Sequence, residues 1–347
     1  NDNRIWHKRK IQKWGRTMFL QIIIVIIIVL LIFTNGITDA PNAIATIVGS
    51  KTMKFRKAAV ISAIFNFIGI VVMSFINISV ADCISSMVNL NDTKGGMIVL
   101  VSAMVSVIVF ALVAMQFGIP TSETHGLVAG LTGAAFAIYG ANSINLSEWE
   151  NVGIGLIWSV VGTFILSYII TKILKGLLKK VKDKLVSDLQ IVGMCAMSFM
   201  HGAQDGQKFI GILIIYNFIV KGLAIPDVIV PAEHIVTILF TAVVMFIGVS
   251  IGGEKIVQNI GSNMTSLNNK QALCSDIATS ATILVASLNG IPVSTTHVKT
   301  MSIIGVGKSE KQKVSKKSVL QIINAWVLTF PFCLIVSHFF AKLLIKF

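Results

Sequence analysis

The sequence predicts an all-α protein that crosses a membrane several times and is built from two related halves. Three observations predict this fold class: a low content of charge, long apolar runs, and motifs that occur twice. Of the 347 residues, 54% are hydrophobic and 13% are charged, whereas soluble domains carry about 25% charged residues. A composition so poor in charge is typical of a protein that lies in a bilayer.

Several apolar runs are long enough to cross a membrane, whose hydrocarbon core of roughly 30 Å takes about 20 residues of helix. The first run, 19–33, holds no charge and follows a basic flank. We interpret this flank as a membrane anchor rather than a signal peptide, because no cleavage site of small residues follows. The predicted spans are 19–33, 58–80, 97–117, 152–174, 235–249, 272–288 and 319–344.

The basic residues that give the net charge of +14 lie mainly at the N-terminus and in segments 51–57, 172–184 and 308–317. Short basic loops are typical of the cytoplasmic face, so topology explains the charge and no nucleic-acid partner is expected. We expect a multi-pass protein of the cell (plasma) membrane. The four cysteines lie singly in or beside apolar runs, which favours core positions over disulfides or a metal site.

A second group of apolar stretches contains Gly, Pro, Asn, Asp, Thr and His. Such backbone is tolerated at membrane depth only where it is buried in protein or lines a cavity. We therefore expect half-helices and re-entrant helical hairpins here. The stretches are 36–49, 120–139, 192–203, 206–220 and 292–305.

Two motifs occur twice in the same order, which indicates an internal duplication. NGITDAPN at 35–42 aligns with HGAQDGQK at 201–208, with Gly and Asp in the same places. GIPTSETH at 118–125 and GIPVSTTH at 290–297 agree at six of eight positions. The predicted organisation is a basic flank (1–16), a first half (17–171), a basic linker (172–188), a second-half core (189–306), and a basic loop with a last helix (307–347). If the halves are inverted, the N-terminal cluster and the linker cannot both be cytoplasmic.

The duplicated acidic residues, Asp39 and Asp205, predict a site for a coupling cation. An acid within apolar sequence costs several kcal/mol, and here carboxylates are bracketed by amides and hydroxyls, the oxygen ligands that Na⁺ needs. A single Asp could instead carry a proton, or cap a helix start. The predicted cation-site residues are Asn35, Thr38, Asp39, Asn42, Glu123, His201 and Asp205.

The duplicated Pro-x-Ser-x-Thr-His segment predicts an anion site. Pro suits the first turn of a helix, and hydroxyls beside unpaired backbone N–H groups there can bind an anion. Ordinary N-capping is the alternative. No arginine follows Arg56, so no guanidinium can hold the anion, and the nearby cations are Lys208 and Lys299, although Lys299 could instead reach an interface. The predicted anion-site residues are Thr121, Ser122, Thr124, Ser294, Thr295, Thr296, Gln204 and Lys208.

Glu123 stands where the second copy has Thr295, so the halves are not equivalent. It is open to interpretation as a proton carrier, a cation ligand, or the partner of Lys208 or Lys299. The histidines of the motifs could bind a metal, shuttle protons, or simply form hydrogen bonds at a helix turn.

These motifs resemble the PiT family of inorganic phosphate transporters, which carries a GAND-type signature and a PVSTTH-type hairpin in each half. The second hairpin, 292–297, matches in full. Thr38 and Gln204 stand where the signature has Asn, Lys208 replaces a further Asn, and Glu123 replaces a Thr. The resemblance implies an inverted duplication, a substrate held between hairpins and broken helices, and uptake coupled to Na⁺ or H⁺.

We therefore expect a secondary active transporter that carries inorganic phosphate by symport with Na⁺ or H⁺, with no cofactor, no metal beyond the coupling cation, and a homodimer as a further expectation. Alternatives are a permease for sulfate or another oxyanion, carriage of a metal–phosphate complex, and a passive anion channel. An intramembrane hydrolase is disfavoured because the chain lacks HExxH and GxSxG motifs. The protein is not expected to be an enzyme.

Overall fold

The computed structural model describes residues 2–39, 41–226, 228–264 and 266–346, without the side chains of 2–17, 19, 262 and 263. Its described residues form no strand, only an antiparallel bridge between Val88 and Ile144. The helices are α1 (Asp2–Asp39), α2 (Pro41–Gly49), α3 (Phe55–Ile76), α4 (Ser79–Ser85), α5 (Thr93–Gln116), α6 (Glu123–Tyr139), α7 (Leu146–Ile157), α8 (Thr163–Lys179), α9 (Asp183–His201), α10 (Gln207–Lys221), α11 (Ile235–Ile251), α12 (Glu254–Gln258), α13 (Asn269–Leu288), α14 (Thr295–Ser309) and α15 (Lys316–Leu344).

Within the described residues, seven helical stretches are long and apolar enough to cross a membrane, and they match the seven predicted apolar runs. Many of their large apolar side chains, such as Ile22, Ile157 and Val236, are exposed, as expected for contact with lipid. The all-α membrane fold is therefore confirmed. The stretches are Leu20–Gly49, Phe55–Ile76, Thr93–Gln116, Leu146–Lys179, Pro231–Ile251, Asn269–Leu288 and Lys316–Leu344.

The order of helices repeats, and each half packs against the other in the same way. Helices α1 to α8 correspond in order to α9 to α15, with the joined pair α7–α8 matching α15. Helix α1 packs on α11 and α9 packs on α3, while α6 packs on α15 and α14 packs on α8. These reciprocal contacts bury the motif-bearing helices α6 and α14 inside the protein. The predicted pair of related halves is confirmed.

One face of the molecule collects the basic loops. Lys175 on α8 pairs with Glu310 after α14, and Lys270 at the start of α13 pairs with Asp183 at the start of α9. Thr52, in the loop after α2, bonds Gln190 on α9. Segments 51–57, 172–184 and 308–317 therefore share one side, as the positive-inside rule requires of a cytoplasmic face.

Helix α1 enters the membrane from the opposite face. Asp92, before α5, accepts a hydrogen bond from Tyr139 at the end of α6, and the backbone oxygen of Gln21 contacts Tyr216 near the end of α10. Helix α1 thus runs towards the basic face, whereas α9–α10 runs away from it. The halves are inverted, and the N-terminal segment is the one that departs from the positive-inside rule.

Two sequence predictions differ from the structure in detail. Stretches 192–203 and 206–220 were expected to form separate half-helices, but α9 and α10 are joined by a π-helical turn at Gly202–Gly206. A π turn keeps the chain helical while widening it by one residue. The predicted linker 172–188 is also mostly helical, because α8 ends at Lys179 and α9 begins at Asp183. The domain boundaries themselves stay a prediction.

Candidate ion and anion site

The first aspartate lies where the chain passes from α1 to α2. Asp39 is the last described residue of α1, and α2 is described from Pro41. The Asp39 carboxylate accepts hydrogen bonds from Asn35 Nδ2 at 3.0 Å, Thr296 Oγ1 at 3.0 Å and Asn42 Nδ2 at 3.4 Å. Asn42 also donates to Thr296 Oγ1 at 2.9 Å. The α1–α2 junction is therefore bonded directly to the start of α14.

The second aspartate lies in the π turn between α9 and α10. Asp205 Oδ1 accepts from Lys208 Nζ at 2.6 Å, and its Oδ2 accepts from Thr295 Oγ1 at 3.2 Å. His201 Nε2 lies 3.2 Å from the same Oδ2, and its Nδ1 contacts Asn66 Nδ2 at 2.7 Å. The arrangement repeats that of Asp39 with different side chains, because His201 replaces Asn35 and Lys208 replaces Asn42.

The helices α6 and α14 begin beside these aspartates. Ser122 and Ser294 cap them, each accepting a hydrogen bond of 3.3 Å from the backbone N–H of the histidine three residues on. The capping oxygens act as acceptors, so each hydroxyl keeps its proton for another acceptor. Thr124 donates to the Val293 carbonyl at 3.2 Å, which joins the two helix starts. Unpaired N–H groups and capping hydroxyls thus converge, as an anion site requires.

The histidines of the hairpins contact each other behind the helix starts. The rings of His125 and His297 are 4.6 Å apart and edge-on, and His297 lies 3.7 Å from the Trp326 ring. Both histidines are buried. Among the described residues, the acid and histidine group whose ligand atoms could share a metal is instead Asp39, His201 and Asp205, within 4.8 Å of one another.

Several buried oxygens of the cluster have no hydrogen-bond partner. Two are the Oδ1 atoms of Asn35 and Asn42, which both donate to Asp39 through their Nδ2 atoms. The others are Glu123 Oε2 and Oδ1 of Asn66, the residue that contacts His201. The other carboxylate oxygen of Glu123 accepts a hydrogen bond from Thr38. Because unsatisfied buried acceptors are costly, and because a dehydrated hard cation binds carboxylate and amide oxygens, this oxygen set fits a cation.

The charges of the cluster also indicate a cation site. Asp39, Asp205 and Glu123 are buried together with one cation, Lys208. Three carboxylates and one ammonium leave two negative charges without compensation when all are ionised. Buried charge of one sign is strongly disfavoured, so the cluster requires protons or bound cations.

The structure brings together all seven residues of the predicted cation site. Of the predicted anion site, it brings the hydroxyls and Lys208 together but directs Gln204 elsewhere, to the Ile291 carbonyl at 3.1 Å and the Ser287 hydroxyl at 2.6 Å. The roles assigned to these residues stay predictions. Gln204 fastens the π turn to the loop before α14, which is a packing role that sequence alone does not distinguish from ligand binding.

Lys299 does not take part in the site or reach an interface, contrary to the possibilities raised by the sequence. It is fully buried and bonds Asp276 and Thr46. Glu123 has no lysine partner among the described residues, since Lys208 pairs with Asp205. Sequence reasoning missed Asn66 and Asp276, although a single Asn or Asp inside the apolar runs of α3 and α13 was a visible signal.

The comparisons with known proteins agree with this geometry. The model of the phosphate transporter family matches twice, at residues 35–187 and 178–337, so the duplication is also a property of the family. A Bacillus subtilis protein described as a "probable low-affinity inorganic phosphate transporter" is 32% identical over 90% of this chain and 94% of its own length. A Rhizobium meliloti protein of the same description is 31% identical over 88% of this chain and 90% of its own length.

A solved structure shares the fold. It is described as "the sodium-dependent phosphate transporter", and it superposes with a TM-score of 0.84 over 94% of this chain and 99% of its own at 22% identity. Together with the seven apolar helices, the family confirms the predicted multi-pass protein of the cell membrane, and it confirms that the protein is not an enzyme. The resemblance seen in the motifs is therefore confirmed, and the chain belongs to the phosphate transporter family.

Proposed function

We propose that the protein carries inorganic phosphate across the membrane by symport with a cation, Na⁺ or H⁺. The observation that carries this proposal is the set of buried, unpartnered oxygens in the cluster that contains Asp39. A protein that only bound an anion would have no use for acceptor oxygens and uncompensated carboxylates beside the anion site. The descriptions of the relatives support phosphate as the anion rather than sulfate.

We place the anion between the starts of α6 and α14. Helix starts offer backbone N–H groups and a partial positive charge, and Ser122 and Ser294 add hydroxyl protons. Thr295 and Thr296 already donate to Asp205 and Asp39. The anion site and the acidic cluster are therefore neighbours, and an anion there is stable only if a cation or proton lies between.

Na⁺ fits the Asp39 side of the cluster because every candidate ligand there is an oxygen. H⁺ coupling would instead place a proton on one of the carboxylates. In either case both aspartates are closed from solvent, at 3% and 1% exposure. Transport then requires the halves to open to one side at a time.

The test is uptake of labelled phosphate into proteoliposomes under Na⁺, H⁺ and Mg²⁺ gradients imposed separately. We expect an inward Na⁺ or H⁺ gradient to drive accumulation above equilibrium, with unlabelled phosphate competing much better than sulfate. Equal uptake with no gradient would make the protein a passive channel, and dependence on Mg²⁺ alone would indicate a metal–phosphate complex.

A further inference from the structure

In each half an aspartate lies with a threonine of the opposite hairpin, a set of oxygens that we call a cage. Among the described residues, only the second-half cage contains an ammonium, that of Lys208. In the second half, Lys208 Nζ contacts Asp205 Oδ1 at 2.6 Å, Thr124 Oγ1 at 2.6 Å and the Val293 carbonyl at 2.8 Å. A carboxylate, a hydroxyl and a backbone carbonyl are the oxygen types that bind alkali cations. Lys208 is 2% exposed, and its ammonium thus lies where a dehydrated cation would be bound.

The duplication identifies the equivalent cage in the first half. Asp39 corresponds to Asp205, Thr296 to Thr124, and the Thr121 carbonyl to that of Val293. Asn42 stands in the position of Lys208, and its Oδ1 is buried with no partner. This cage has the same acid and hydroxyl but a neutral, shorter side chain, so its positive charge must come from outside.

We propose that Lys208 is a built-in substitute for a second coupling cation, so that this transporter moves one cation fewer per phosphate than the duplicated site would allow. The proposal rests on the proposed function. An ammonium has three N–H donors, and all three are used here. Lys208 therefore has no donor left for phosphate in this conformation, and its role is to neutralise Asp205 permanently while Asp39 exchanges its cation.

Lys208 thereby sets the number of cations that are transported with each phosphate. A tethered ammonium stays with the protein through the transport cycle, whereas a free cation is carried across and contributes the energy of its gradient. With Lys at this position the transporter needs no second cation, but it also gains no energy from the gradient of one. An Asn at the same position would restore the donor set of the first half.

The experiment compares the unchanged protein with Lys208→Asn and with the double variant Asp205→Asn/Lys208→Asn in proteoliposomes. The cation-to-phosphate ratio is measured from the Na⁺ or H⁺ gradient at which net flux of labelled phosphate reverses. We expect the ratio to rise by one in Lys208→Asn, because Asp205 then needs a free cation. The double variant removes the carboxylate charge together with the ammonium, so the increase of one in the ratio should be absent from it.

A second readout does not depend on transport. Thermal unfolding of detergent-solubilised Lys208→Asn should be shifted upwards by NaCl relative to choline chloride, and by more than in the unchanged protein or the double variant, since a ligand that binds only the native state stabilises it. Lys208→Gln gives the same comparison if the Asn variant cannot be purified.

The outcomes separate this inference from the proposed function. If phosphate flux in the unchanged protein follows no cation gradient, the proposed symport is wrong. If the unchanged protein is coupled but Lys208→Asn shows the same ratio and no added stabilisation by Na⁺, the assignment of Lys208 as a substitute cation is wrong and the symport stands.

Discussion

At the scale of single residues, Asp39 and Asp205 occupy equivalent positions but have different environments. Asp205 has a permanent ammonium partner, whereas Asp39 has only amide and hydroxyl donors. In a medium of low dielectric constant a carboxylate with neutral donors remains the stronger ligand for a free cation, because its charge is not already compensated. Asp39 is therefore the residue at which the coupling ion should act.

The change Asp39→Asn tests this directly. It keeps the size of the side chain but removes the charge, so concentrative phosphate uptake should fall to the background of empty liposomes. Expression and membrane insertion should survive. Asp188→Asn, the same chemical change at an exposed position on α9, should transport normally. If the Asp39→Asn protein still accumulates phosphate, Asp39 does not bind the coupling cation.

Glu123 is a position at which the two halves differ, because the second half has Thr295 in its place. Substitution of Glu123 therefore tests whether this difference matters for coupling. One of its oxygens accepts a hydrogen bond from Thr38 and the other has no partner. Glu123→Gln removes a charge beside the cation, so the Na⁺ concentration for half-maximal uptake should rise at least about tenfold, which corresponds to about 1.4 kcal/mol.

Uptake as a function of Na⁺ and of pH is the measurement for Glu123→Gln, and Glu150→Gln at an exposed position is the matched control. Loss of pH dependence with an unchanged Na⁺ response would show that Glu123 carries a proton instead. A variant that matches the unchanged protein in both dependences would exclude Glu123 from the coupling site.

At the scale of elements, the positions of Asp205 and Asp39 depend on close helix packing at the glycine of each motif. A methyl group at Gly202 would lie 2.1 Å from the backbone oxygen of Asn66. At Gly36, the equivalent position, it would lie 2.9 Å from the Cα of Gly248. The glycine shared by the two motifs therefore allows α9 to lie against α3 and α1 against α11, which places each aspartate beside the opposite half.

Gly202→Ala should consequently lower the unfolding temperature of the detergent-solubilised protein and reduce transport. Gly176→Ala, in α8, is the control, because a methyl group there meets nothing within 4 Å. Since Ala favours helix over Gly by about 1 kcal/mol in an exposed position, this control should be neutral or more stable. An equal response of the two variants would mean that the contact with Asn66 does not constrain the packing.

At the scale of the whole molecule, the loops of the two faces differ in charge and give the protein an orientation. The basic loops share one face and the acidic ends of α5 and α7 lie on the other. The positive-inside rule then places the turn between α8 and α9 in the cytoplasm, and the segment between α6 and α7 outside.

Introduced cysteines test this orientation. Lys182→Cys and Asn142→Cys are both at exposed positions on opposite faces. In intact cells, an impermeant maleimide should label Asn142→Cys and should label Lys182→Cys only after permeabilisation. The unchanged protein, whose cysteines lie within its helices, reports background labelling. The reverse pattern would show that the basic face is extracellular.

The sequence by itself determined the membrane class, the number of long apolar helices, the duplication, and the residues that surround the acidic cluster. These follow from properties that are local or periodic: apolar length, charge in loops, and a motif repeated in order. The residues of both motifs could be assigned to binding sites from sequence. Asp, Asn and Thr side chains within apolar sequence lower the stability of a membrane protein unless they bind a partner or a ligand.

Only the tertiary structure decided which of these groups contact each other. Partners of Asp39, Asn66, Lys208 and Lys299 lie far apart in the chain, at Thr296, His201, Val293 and Thr46. The two lysines are alike in sequence, yet Lys208 neutralises Asp205 within the cluster and Lys299 neutralises Asp276 outside it. A hydrogen bond or ion pair depends on distances of a few ångströms, and those are set by how the inverted halves pack, which local pattern does not encode.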